Sequence, residues 1–149
     1  MPVFPSMAVR SFNSQREERN ESDFERRSRD QDSRPDHPIT ISPTEGTVRV
    51  TVAGRIVAES TRALRLEEKG YPPVYYLPRS DADTRLLVRT IHHTYCPYQG
   101  DAAYYSIPIG GAKSEDSVWT YEEPHEAVES IKEYLAFYPS RVDALEVIL

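Results

Sequence analysis

From Thr47 to Glu59 the chain reads TVRVTVAGRIVAE, with Val48, Val50 and Val52 separated by Arg49 and Thr51. A period of two puts alternate side chains on one face, so this stretch predicts a strand. Ala53-Gly54 predicts a hairpin turn from which Arg55 to Glu59 returns. Ile39 to Ser42, ended by Pro43, reads as a short strand, and Ala63 to Glu67 as another with Leu64 and Leu66 on one face. Tyr71-Pro72-Pro73 sets an extended entry into Val74 to Leu77, which Pro78 stops. Ser80 to Thr84 reads as a turn or one capped helical turn. Strands are also predicted over Leu86 to Thr94, Ala102 to Ile109 and Ser117 to Glu122, with IGGAKSED as the loop between the last two.

One stretch has helical spacing. Pro124 is a favoured first helical residue. Ala127, Val128, Ile131, Tyr134 and Leu135 then form a single apolar stripe, with Glu126 and Glu129 near the positive end. This predicts an α-helix over about 124–135, closed by Pro139, and VDALEVIL predicts a last strand. Alternating βαβ units are missing, which disfavours a Rossmann sheet. The fold class is mainly β (α+β), built of antiparallel hairpins with one packed helix.

Composition divides the chain. Its 149 residues suffice for one core, and its 38% apolar content is low for a chain folded throughout. The deficit lies in Arg10 to Asp36, dense in both charges, with Phe12 and Phe24 as its only large apolar residues. Residues 1–36 are therefore expected to be a flexible tail and 37–149 a single β-rich domain. The net charge of −6 gives no basic footprint for nucleic acid. No apolar run approaches the roughly 20 residues that span a bilayer, and the first residues lack a signal-peptide core. A lone cysteine cannot form an internal disulfide, so a cytoplasmic location is expected.

Seven segments then occur in a telling order: HPITI (His37 to Ile41), VRVTVAGRIVAES, TRAL, YPPVYYLP, TYCPYQGDAAYYS, VWTYEEP and LAFYPSRVDALEV. Together they resemble the family labelled domain of unknown function four-twenty-seven, also filed as a putative nucleotidyltransferase family. The resemblance covers about residues 37 to 148. It implies a β-tent-like arrangement, antiparallel sheets folded over each other, similar to zinc-binding and methionine sulfoxide reductase domains. It implies no settled activity. Family members usually carry lysine where this chain has Gln99.

The residues themselves weigh against several chemistries. Thr94-Tyr95-Cys96-Pro97-Tyr98 begins like a dithiol site, yet no second cysteine follows and no helix starts there to lower the thiol pKa. His92, His93 and Cys96 lie close in sequence, but a strand sends His93 to the opposite face and sets His92 about 13 Å from Cys96. No metal and no cofactor are expected. Asp81-Ala82-Asp83 is the D-x-D within residues 37–149 and lacks a Gly-Ser turn before it. GGAKS (Gly110 to Ser114) lacks P-loop spacing. Nucleotidyl transfer is therefore disfavoured.

A small-ligand pocket fits best. Tyr76, Cys96, Tyr104, Trp119 and Tyr121 converge on one face if the sheets fold over each other, and Trp119 and Tyr121 share a face by their spacing. Arg62 is the expected anion clamp. Glu67 or Glu122 is the expected base, and Cys96 the nucleophile if its pKa is lowered. The expected function is binding of a small polar or anionic metabolite, with thiol-dependent catalysis as its extension. The alternative is a non-catalytic interaction module that uses β edges and the N-terminal tail to bind a protein partner or a second copy. Against the site reading, a lone cysteine at a strand end is most often a small buried hydrophobe, and tyrosines often serve as cross-strand packing.

Overall fold

In the computed structural model, which describes residues 38–149, the alternating valines form β2 (Thr47–Val52). Val48, Val50 and Val52 are buried while the residues between them are half-buried. Ala53 and Gly54 both have positive φ, 51° and 76°, the handedness that a two-residue hairpin requires. β3 (Arg55–Ser60) returns antiparallel, and β10 (Ala144–Ile148) pairs on the other side of β2. These strands form a three-stranded sheet of order β10-β2-β3.

The other strands are β1 (Ile39–Pro43), β4 (Leu64–Glu68), β5 (Val74–Leu77), β6 (Val88–Cys96), β7 (Gly100–Ser106), β8 (Val118–Tyr121) and β9 (Leu135–Phe137). They make a seven-stranded antiparallel sheet of order β1-β4-β5-β9-β8-β7-β6. The protein is thus mainly β, as the alternation predicts. The expected tail over 1–36 lies outside the described residues.

Alternation along the central strands feeds two cores. Leu77, Val118, Leu135 and Phe137 pack with Val48, Val50, Val52 and Val57, which closes the small sheet onto one face of the large one. Their immediate neighbours Tyr76, Trp119 and Ala136 point the other way. There they join Leu66, Ala102, Tyr104 and Tyr121, under Val128 and Ile131. Each such side chain contributes about 1.5–3 kcal/mol by leaving water. β8 and β9 are buried on both faces, and apart from the buried Thr120 they read as apolar or aromatic runs.

The helix expected over 124–135 is corrected. Only Glu126–Ile131 is helical; it is a 3-10 segment broken at Val128, whose ψ is 30°. Glu133 has φ 62° and donates its backbone N–H to the Tyr121 carbonyl. Leu135 then belongs to β9, between β5 and β8. Sheet pairing has taken the C-terminal part of the apolar stripe. Strand ends also shift. β6 runs on to Cys96, and β7 stops at Ser106 because Pro108–Ser114 turns as a 3-10 segment. Among the described residues no helix is long and apolar enough to cross a membrane.

Candidate functional site

The second core gathers most of the candidate residues. Trp119 on β8 lies opposite Tyr104 on β7, and Tyr121 two residues on shares its face. Tyr76 on β5 meets Trp119 edge to face, with ring centroids 6.3 Å apart and planes at 87°. Tyr138, just after β9, packs against the indole at 4.5 Å with the planes tilted by 43°. Such tilted and T-shaped pairs suit the ring quadrupoles.

The polar atoms of these rings are joined in two chains. Trp119 Nε1 donates to the Tyr76 hydroxyl (3.3 Å), which donates to Gln99 Oε1 (3.3 Å). Gln99 Nε2 in turn donates to Glu68 Oε1 (3.2 Å). On the other side the Tyr104 hydroxyl lies 3.0 Å from Thr94 Oγ1 and 3.3 Å from the Tyr138 hydroxyl. Burying indole and phenol groups costs several kcal/mol unless they are hydrogen-bonded, and these chains offset that cost. Burial pushes the Tyr76 and Tyr121 hydroxyls well above the ordinary tyrosine value. Cys96, Glu68 and Tyr104 are close enough to act electrostatically on both.

The structure therefore gathers Tyr76, Cys96, Tyr104, Trp119 and Tyr121. Cys96 ends β6 and is 8% exposed. The turn after it runs directly into β7 with no helix, as expected from the sequence. Arg62 lies elsewhere. In the β3–β4 connection, its guanidinium contacts Ser80 and Asp81 at 3.2 Å, with 63% of the side chain exposed. Glu67 pairs with Arg65 (2.8 Å) and Glu122 with Arg89 (2.6 Å). The Arg89 guanidinium beside Glu122 holds its carboxyl below the usual range.

Glu68 and Gln99 were missed as site residues. Glu68 continues the face of Leu64 and Leu66, so the period of two already separates it from Glu67. Gln99 gives no local signal; its burial follows from the tight β6–β7 turn, whose backbone also holds His125 N at 2.9 Å from the Gln99 carbonyl.

The remaining sequence motifs are occupied by local structure. Ser60 and Arg62 hold Asp81, and Asp83 caps the Thr84–Leu86 turn and binds the Arg85 guanidinium. Lys113 faces Asp143 at 3.4 Å, and Ser114 donates to the Arg141 carbonyl. Among the described residues no three His, Cys, Asp or Glu side chains converge to hold a metal.

Residues 40–148 match the family model described as Domain of unknown function (DUF427). No curated protein matches the chain.

Proposed function

Starting from a chain that belongs to the DUF427 family, whose description assigns no activity, we propose that the protein binds a small polar metabolite on the aromatic face of its large sheet. The observation that carries this reading is the paired hydrogen-bond chains. Core packing alone needs apolar rings, yet here an indole, three phenols, an amide and a carboxylate form two hydrogen-bond chains that meet at the Trp119–Tyr138 ring contact. An aromatic wall with a few placed polar groups is what small-molecule sites use. Tyr138 and Glu68 are half-buried and bring that surface to solvent. Arg62, ion-paired with Asp81, supports no anion clamp within the cluster, so the ligand is better described as polar than as anionic.

Cys96 is the nucleophile that a catalytic version would use. The alkylation rate of folded against unfolded protein separates the versions. Fast reaction when folded supports thiol chemistry, and reaction only on unfolding leaves binding alone.

The binding test is calorimetry of the full chain against a panel of amino acids, sugars, nucleosides and short carboxylates. The expected result is saturable binding by one class, weakened at least about tenfold by Tyr138→Ala at unchanged fold. Absence of saturable binding, or binding indifferent to Tyr138→Ala, would overturn the reading.

A second reading rests on a different observation. β6 is a nine-residue edge strand with Val88 53%, Ile91 97% and Tyr95 47% exposed. Such an edge invites a partner strand or a second copy, and a concentration-dependent sedimentation coefficient would support it.

A further inference from the structure

β6 and β7 fall out of register between Arg89 and His93. Arg89 lies opposite Tyr105 and His93 opposite Ala103, so Thr90, Ile91 and His92 together face Tyr104 alone. Bulges of this kind bend a strand and re-aim its side chains, and they gather beside functional sites. Here the bulge turns Ile91 out to 97% exposure and lays the His92 ring over Tyr104, centroids 4.5 Å apart. That is the Tyr104 whose hydroxyl bonds Thr94 and Tyr138.

A groove of about 540 Å³ opens beside His92, lined also by Thr90, Ile91, His93, Ser106, Glu115 and Asp116. Its polar atoms are held in place. Thr90 Oγ1 donates to Asp116 Oδ1 (2.7 Å), and Asp116 N donates to Ser106 Oγ (2.9 Å). Asp116 adopts φ 49°, a left-handed conformation that aspartate and asparagine tolerate better than most residues. Arg141, which reaches the Glu115 backbone, is already engaged. Its guanidinium lies over the Tyr138 ring at 5.2 Å and donates to the Glu115 carbonyl at 2.9 Å.

We propose that this groove, joined to the aromatic cluster through the His92–Tyr104 ring contact, receives a protonated amine carried by the ligand. The ammonium sits between the Asp116 and Glu115 carboxylates and donates to the His92 imidazole, whose ring packs on the buried Tyr104. The inference rests on the aromatic face being a ligand site and names the ligand class: amine-bearing small molecules. Two features favour an organic cation. The two carboxylates give the lining negative charge, and no Lys or Arg side chain lines it. A metal ion is a poorer match, because no three suitable ligands converge among the described residues. Burial lowers the His92 pKa against the opposing pull of Asp116, with His93 and Arg141 adding to the lowering. The ring is then a neutral acceptor at neutral pH.

The test uses three probes of equal length on the full chain: n-butylammonium, butanoate and butan-1-ol, followed by amide and side-chain resonances. Butylammonium is expected to shift Asp116, His92 and Tyr104 saturably, and Asp116→Asn to weaken it at least about tenfold. Asparagine keeps the left-handed backbone and the acceptor for Thr90, so the fold should survive; His92→Gln, also weaker for the amine, provides the second variant. Equal response to butanoate or butanol, or unchanged amine binding in Asp116→Asn, would overturn the amine assignment. If Trp119 and Tyr138 respond to butanoate or butanol while the groove ignores the amine, the amine assignment alone falls. If no probe and no panel compound moves Trp119 or Tyr138, the aromatic site falls with it.

Discussion

Tyr76 is the residue on which the aromatic face turns. It is 1% exposed, and its hydroxyl accepts from the only tryptophan while donating to Gln99. Tyr76→Phe keeps the ring and removes both bonds, which leaves a buried indole N–H and a buried amide oxygen without their partner. The expected cost is about 1–3 kcal/mol in chemical denaturation, well above the few tenths typical of a surface change. A loss below about 0.5 kcal/mol would mean that the bonds are incidental to ring packing. At this scale the sequence was informative about ring positions and silent about polar connections. Period two places Trp119 and Tyr121 on one face, because strand geometry alone decides faces; Tyr76 joins them only through the order of strands in the sheet. The Gln99–Glu68 link joins residues 31 apart. It depends on β4 and the β6–β7 turn meeting across the sheet, which no local pattern records. Arg62 was chosen for its chemistry, and the Asp81 carboxylate that engages it follows from tertiary geometry.

Elements were legible where one rule governed and obscure where two competed. The β2–β3 hairpin was read correctly because alternation and turn residues agree. The stretch 124–135 was misread because its apolar spacing satisfies a helix while Leu135, Ala136 and Phe137 also complete a sheet. Closing the gap between β5 and β8 buries both faces of those three residues, and pairing in the sheet won. The β6 bulge was invisible for a related reason: strand propensity is uninterrupted from Val88 to Cys96, and the extra residues show only against β7. The β1–β2 connection offers a sharper test of element geometry. Gly46 has φ 82°, and a Cβ there would run into the Ile148 carbonyl oxygen of β10. Gly46→Ala should therefore cost more than the roughly 1–2 kcal/mol of the left-handed backbone alone. Gly70→Ala, at φ 85° with open space around it, should cost only that amount. Equal denaturation midpoints for the two variants would show that the β1–β2 turn yields at little cost.

At the scale of the molecule, two sheets enclose one apolar core and the large sheet's outer face carries the second, aromatic one. This gives a stability profile with a defined sign. Tyr76 and Tyr121 stay protonated in the folded state well above the pH at which unfolded tyrosines ionise, about 10. Below that pH both states hold the proton, and their contribution is fully present. As pH rises past it, the unfolded chain loses protons that the folded chain keeps. Stability then falls by up to about 1.4 kcal/mol per pH unit for each tyrosine, until the folded pKa is reached. Denaturation followed between neutral and alkaline pH should show this decline, and Tyr121→Phe should reduce its slope by about half. A flat profile through the tyrosine range would mean that the two rings are reached by water.

The central claim is that this aromatic face binds a ligand, and the indole N–H resonance of Trp119 reports on it most directly. As the only tryptophan, bonded to Tyr76 and packed against Tyr138, it gives one assignable signal at the centre of the site. Titration with the compound selected by calorimetry should move that signal saturably, with the same dissociation constant as the heat. The movement should be lost in Tyr138→Ala. A compound that binds by calorimetry while the Trp119 signal stays still would place the ligand elsewhere and contradict the account.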